Sequence, residues 1–247
     1  MKHVILLAGL TSLIASGASA SLVAAWDFQT TTNGGTAAAA APSSPKVYVA
    51  NFGSGSLYLN GTNGSSDWFV GASNTEITSF GGTALNADTG IGMSTVTSGT
   101  ASLALAGGAS LGGGAYAANG KFMVFAFSMT NMENLSVSYA TQRTSTGFTS
   151  QVWEYSVDGT NWFAVTTVSG IQSSFALGTG AVTSLPTVTG LDNAATAFLR
   201  VTFSGATSAS GNNRLDNIQF NADLIPAPGA LAILGVAGLV GARRRRA

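Results

Sequence analysis

The sequence predicts an all-β fold of two sheets packed face to face, and three observations predict it. Glycine makes up roughly 13% of the chain against an average near 7%, 32 residues in all, and it comes mixed with Thr, Ser, Asn and Val, a composition of short strands and frequent turns. Apolar residues recur at every second position in one segment after another, the period of a strand with one buried face. No long amphipathic helix can be written between residues 21 and 223, a length of roughly 200 residues that suits a single all-β domain. The small net charge and plentiful aromatics argue against disorder.

Taken in order, Leu22, Ala24, Trp26 and Phe28 alternate with smaller or polar partners and form a first strand. Residues Thr30 to Pro45 lose the pattern and read as a loop, Val47 to Leu59 hold a broken strand, Asn60 to Ser66 are a turn cluster, and Trp68-Phe69-Val70 resume strand character. From Ser79 to Gly120 the chain is Gly, Ala, Thr and Ser with sparse hydrophobes, and is expected to be flexible loop. Its Gly112-Gly113-Gly114 run lacks the Lys-Ser/Thr of a phosphate loop. Phe122 to Met129 is apolar on both faces, as a central strand is. Leu135, Val137 and Tyr139 alternate with polar or small residues, as do Trp153, Tyr155 and Val157; Asp158-Gly159-Thr160-Asn161 then turns the chain into Trp162-Phe163-Ala164-Val165, a hairpin. Leu199, Val201 and Phe203 face one way with Arg200 and Thr202 the other, and Ile218 and Phe220 close the domain. Turns every 8 to 12 residues or so point to a jelly-roll-like sandwich. Its first strand, around Trp26, and its last, around Ile218, are expected to pair.

Both ends carry export features. Lys2 and His3 precede the apolar segment Val4 to Ile14, and Ala18-Ser19-Ala20 follows, the layout of a secretory signal peptide over residues 1–20 with cleavage after Ala20. At the other end Ala230 to Ala242 contains only Ala, Leu, Ile, Val and Gly. Such a helix rises about 20 Å against about 30 Å of bilayer hydrocarbon, and extension back to Leu224 lets it cross. The arginines behind it would stay on the cytoplasmic face, leaving the body of the chain, residues 21–223, outside.

Pro226, Ala227 and Pro228, the apolar run, and then Arg243, Arg244, Arg245 and Arg246 resemble the PEP-CTERM sorting signal of Gram-negative bacteria, with Ala227 where that motif has glutamate. For residues 224–247 the resemblance implies transient anchoring in the inner membrane, recognition and removal by an exosortase-type membrane protease, and delivery of the body to the cell surface or an extracellular polysaccharide matrix. The segments Arg143 to Phe148, Tyr155 to Asn161, Leu199 to Ala206 and Gly211 to Ile218 are similar to the body of many exported PEP-CTERM proteins. That second resemblance implies a jelly roll like galactose-binding-like and other carbohydrate-binding modules, and brings no catalytic residues with it.

Without Lys2 and the four tail arginines, the body keeps five cations against ten acids, a net charge of about −5, which gives no electrostatic case for binding nucleic acid. There is no cysteine, and the single histidine is His3 in the leader. A Ser-His-Asp triad, a Cys-His pair and an ordinary zinc site are therefore outside the inventory of the body. No cofactor is called for; carboxylate chemistry and oxygen-ligated calcium remain available.

Three residues stand out as possible glycan or ion contacts. Trp162, beside a hairpin turn, is placed to stack on a sugar ring, whereas Trp153 belongs to the core. Asp216 and Asn217 carry the oxygens an ion or sugar would use, although Arg214, two residues before Asp216, suggests an ion pair that holds the closing strand. Arg143 is expected to pair with an acid near its loop. Among the glutamates, Glu76, Glu133 and Glu154, none sits in a recognisable catalytic context, and Glu154 projects from the outer face of its strand. The expectation is a structural or adhesive surface protein and not an enzyme, with a carbohydrate-binding module as the alternative and a carboxylate-based polysaccharide hydrolase or lyase as the second.

Overall fold

The computed structural model describes residues 20–31, 35–37, 47–59, 77–99, 102–106, 110–112 and 114–226, and in it alternation becomes sheet wherever the apolar face finds a partner. One sheet takes β1 (Ala20–Trp26), β3 (Phe52–Gly53), β5 (Ile77–Phe80), β6 (Ser102–Ala106), β10 (Met132–Arg143), β13 (Val182–Ser184) and β15 (Asn212–Leu224). The other takes β2 (Val47–Val49), β4 (Gly55–Leu59), β9 (Phe122–Phe127), β11 (Ser150–Ser156), β12 (Phe163–Ser169) and β14 (Ala197–Ser204), in the spatial order β12-β11-β14-β9-β4-β2. A small hairpin joins β7 (Ser110–Gly112) to β8 (Ala115–Tyr116), and two short 3-10 segments, Phe175–Ala181 and Thr189–Leu191, are the helical turns among the described residues.

The core is the seam between the two sheets. Trp26 and Phe220 from the first meet Phe125 and Trp153 from the second, with Trp26 5.1 Å from Phe125 and 5.4 Å from Phe220 between ring centroids. Phe125 stacks on Trp153 at 5.9 Å. Both indole N–H groups are satisfied inside it: Trp26 Nε1 donates to Tyr48 O at 3.0 Å, and Trp153 Nε1 donates to the Tyr139 hydroxyl at 3.1 Å. That hydroxyl in turn donates to Gln151 Oε1 at 2.6 Å, and burial pushes the Tyr139 phenol well above its ordinary value. Buried aromatics that find polar partners add specificity to burial.

β15 organises the first sheet. Along one edge it pairs with β10; along the other it pairs with β6 over Asn212–Leu215 and with β1 from Ile218 onward. Ala20 lies opposite Asp223, so both ends of the sandwich leave side by side, as the pairing of first and last strands predicts. The leader residues before Ala20, the C-terminal helix and the sorting residues Ala227, Pro228 and Arg243 to Arg246 lie outside the described residues, as do Asn60 to Ser66 and Trp68 to Val70. Among the described residues no helix is long and apolar enough to cross a membrane.

The stretch 79–120 departs from expectation. Its few hydrophobes make strand: Leu103 and Leu105 are fully buried because β6 inserts between β5 and β15, with Leu103 opposite Leu215. Two leucines at a spacing of two are enough to seal an edge when a long neighbouring strand is already in place. Val157 also leaves the alternation, lying beyond β11 and half exposed.

Candidate functional site

Strand alternation gives the six-stranded sheet an outer row in which Glu154 faces Arg200, Arg200 faces Val124 and Val124 faces Tyr58. Arg200 gathers the row. Its Nε and Nη2 donate to one oxygen, Glu154 Oε2, at 2.9 and 2.7 Å, and its guanidinium lies 4.2 Å from the Trp162 ring and 5.3 Å from that of Phe122. The tight turn that positions Trp162 is built on Asp158, whose carboxylate accepts from the backbone N–H of Thr160 and Asn161 at 2.8 Å each, and from Asn161 Nδ2 at 2.7 Å. Those donors, the Asn161 backbone first, hold the Asp158 carboxyl well below its ordinary value. Gly159, at φ 72, supplies the left-handed residue that such a turn needs. The cluster is partly open, the Arg200 and Glu154 side chains keeping 22% and 23% of their surface.

Trp162 therefore stands where the sequence suggests, beside the turn, but one face of its indole is covered by Arg200. An aromatic face plus a charged pair that can exchange hydrogen bonds with hydroxyls is chemistry suited to a sugar. Arg200 was legible only as the outward member of an alternating strand; its partners sit 46 and 38 residues away, at Glu154 and Trp162, and only the fold joins them.

Asp216 and Asn217 are in the other sheet and do not join Trp162. Neither has accessible surface, so no glycan can touch them in this state. They sit where the edge of β15 passes from β6 to β1, and Asn217 takes a left-handed φ of 48. Asp216 Oδ2 accepts from Thr83 N at 2.7 Å and its Oδ1 from Asn217 N at 2.9 Å. Asn217 Nδ2 donates to Thr83 O at 2.7 Å and Leu85 O at 2.9 Å. Burial, and then the negative charge of Asp27, push the Asp216 carboxyl well above its ordinary range, against the pull of its two N–H donors. The expected ion pair is not made: the Arg214 guanidinium lies over the Phe80 ring at 4.4 Å, so the sequence spacing of two did not bring the charges together. Among the described residues Arg143 likewise finds no acid; its Nη1 donates to Thr144 O and Ser145 O at 3.3 and 3.0 Å, capping its own loop.

Asp27 is a residue that the sequence reading passed over. It follows β1 directly, is fully buried, and accepts from Gln29 N, Thr30 N, Thr30 Oγ1 and Ser94 N. The available signal was its place immediately after a strand ending in a core tryptophan. Of the glutamates, Glu154 is held by Arg200, Glu133 belongs to β10 in the opposite sheet, and Glu76 lies outside the described residues.

No family model and no curated protein matches the chain. Among solved structures it is similar to TmCBM61 in complex with beta-1,4-galactotriose, at 11% identity over 51% of this chain and 72% of that one, TM-score 0.29. It is also similar to the K2 cleaved adhesin domain of Lys-gingipain, at 14% identity over 66% of this chain and 97% of that one, TM-score 0.34. The K1 cleaved adhesin domain of Lys-gingipain from Porphyromonas gingivalis W83 matches at 11% identity over 49% and 74%, TM-score 0.31.

Proposed function

We propose that this chain is an exported jelly-roll-like module of the galactose-binding-like kind, sorted through Pro226, Ala227, Pro228 and the arginine tail to the cell surface or its matrix, where the outer face of the six-stranded sheet binds polysaccharide. The observation that carries the binding reading is the half-open cluster of Trp162, Arg200, Glu154 and Phe122, which puts aromatic surface and a paired charge on one face. A glycan array probed with the secreted form tests it. Trp162→Ala is expected to lower affinity for the retained glycan about tenfold or more, the ~1.4 kcal/mol of one lost ring contact. Equal retention of wild type and variant, or no retained glycan, overturns it. The intact mass of the extracellular form tests the sorting: loss of both ends supports it, and a full-length chain in the cytosol with its leader intact ends it.

A structural or adhesive role without a glycan is the second reading. It is favoured by the way Arg200 covers a face of Trp162, which closes the cluster on itself. A carboxylate hydrolase or lyase draws no support from Glu154 and Glu133, since two such carboxylates must flank one cleft about 5 to 10 Å apart and these stand on different sheets.

A further inference from the structure

Each sheet lays one arginine against an aromatic ring on its outer face, and the two arginines are completed differently. Arg200, beside Trp162, gives Nε and Nη2 to Glu154. Arg214 projects outward from β15, its neighbour Leu215 being core, and stands between Ala104 of β6 and Gln142 of β10 in the sheet register. Ala104 offers only a methyl group and has no accessible surface, so the long arginine side chain can cross β6 above it and reach Phe80, the guanidinium lying 4.4 Å from the ring centroid. Phe80 keeps 39% of its surface. Among the described residues Arg214 makes no ion pair: Asp216, on the same face of the strand, accepts instead from Thr83 N and Asn217 N.

The guanidinium is also short of acceptors. Arg214 Nε is buried without a hydrogen-bond partner, while the residue as a whole is only half-buried, so the fork meets solvent through its terminal amino groups. A partly desolvated cation with no counter-charge favours an anion at that open edge, and a planar fork matches a carboxylate better than it matches a point charge. What lies beside the fork narrows the anion further. The part of the Phe80 ring that the guanidinium leaves open is an apolar platform for the C–H face of a sugar. Gln142, half-buried next to Arg214, has its Oε1 engaged by Phe175 N at 2.7 Å, which leaves its amide N–H groups to donate to a hydroxyl. Ring, fork and amide together fit a sugar that carries a carboxylate.

We propose that Arg214, Phe80 and Gln142 form a second carbohydrate site, on the outer face of the seven-stranded sheet, that takes a uronic-acid residue of an acidic polysaccharide. The ligand's carboxylate occupies at Arg214 the role that Glu154 fills for Arg200, so the two faces differ in the charge of the sugar they accept. The body is acidic overall, and screening confines the attraction to a local contact within about 8 Å at physiological salt. The site does not depend on Trp162, which lies on the other sheet, and stands or falls separately.

The test titrates the full chain with trigalacturonate and, separately, with the same trisaccharide after its carboxyl groups have been reduced to alcohols. The acidic probe is expected to bind about tenfold or more tightly than the neutral one, the worth of a charge-assisted hydrogen bond. Arg214→Gln should remove that preference and leave the two probes equal, and Arg214→Lys, which keeps the charge without the fork, should restore only part of it. Phe80→Ala should weaken both probes alike. Trp162→Ala should leave trigalacturonate binding unchanged. Equal affinity of the wild type for the two probes, or no binding of trigalacturonate, overturns the proposal; so does a preference that survives in Arg214→Gln. Loss of trigalacturonate binding in Trp162→Ala also overturns it, by assigning the acidic sugar to the six-stranded sheet and leaving the glycan reading of that sheet intact. Should Arg214→Gln fail to fold, the probe preference of Arg214→Lys and the Trp162→Ala result still decide.

Discussion

The two outer faces of this sandwich answer the same problem in opposite ways. On the six-stranded sheet the outward charges, Arg200 and Glu154, neutralise one another at 2.7 Å and stay partly in contact with water. On the seven-stranded sheet the outward residues Asp216, Asn217 and Gln219 are roofed over by residues 83–94 and lose solvent altogether or nearly so. A charge that keeps some water needs little from its neighbours; a charge that loses it must be given donors one by one. The difference predicts where mutation is expensive and where it is merely functional.

The largest effect should fall under the roof. Asp216→Ala strands the N–H groups of Thr83 and Asn217, each buried, at about 1–3 kcal/mol apiece, so urea unfolding is expected to lose about 3 kcal/mol at unchanged m-value. A loss below about 1 kcal/mol, the size of a surface change, would erase the contrast between the faces. Next comes Asn217→Gly, which keeps the left-handed backbone open to the residue and removes only the clasp on Thr83 and Leu85. A loss of about 1–3 kcal/mol in the same assay is expected; a stabilised variant would mean that backbone strain at φ 48 outweighs the clasp.

Legibility in the sequence follows the same division. The open sheet was readable at β14, which alternates strictly, Leu199, Val201 and Phe203 inward and Arg200 outward, and at Asp158, where the turn is announced by its own residues. The junction was not, because β15 carries a bulge at Asn217, and past a bulge the period of two assigns faces wrongly. Arg214 and Asp216 do share a face of β15, ahead of that break in register; they are not a pair because Arg214 is turned onto Phe80 while Asp216 takes the N–H groups of Thr83 and Asn217. β6 escaped notice for a different reason: Ser102–Ala106 carries only two large hydrophobes, and what makes it strand is β15, more than 100 residues later. The role of Asp27 depends on residues 83–94 folding back over it, information no local window holds.

On the open face a moderate effect is expected. Arg200→Ala removes one ion pair and two ring contacts at a site that is still partly wet, about 1–2 kcal/mol in thermal unfolding, while it uncovers the Trp162 indole. Its effect on glycan retention sharpens the functional contrast. If Arg200 is a recognition group, retention falls with stability; if it only shields the ring, retention rises while stability falls. Affinity measured beside Tm on the same variant separates the two.

The smallest effect belongs to the turn that carries Trp162, and its sign is fixed by acidity. The Asp158 carboxyl is held below its ordinary 3.8 by hydrogen bonds from Asn161, Thr160 and Ser156. Its folded form therefore binds a proton less readily than its unfolded form, so the turn's contribution is fully present above the ordinary value and disappears as pH falls through the lower, folded one. Asp158→Asn replaces the charged acceptor with a neutral amide that cannot respond. The Tm gap between wild type and variant should be widest near pH 7 and should narrow toward about pH 2.5, with the carboxylates under the roof common to both proteins and cancelling in the difference. A gap that stays constant across that range would show that the carboxylate charge does nothing for the turn, and that Gly159 and the Thr160 and Asn161 backbone hold Trp162 in place unaided.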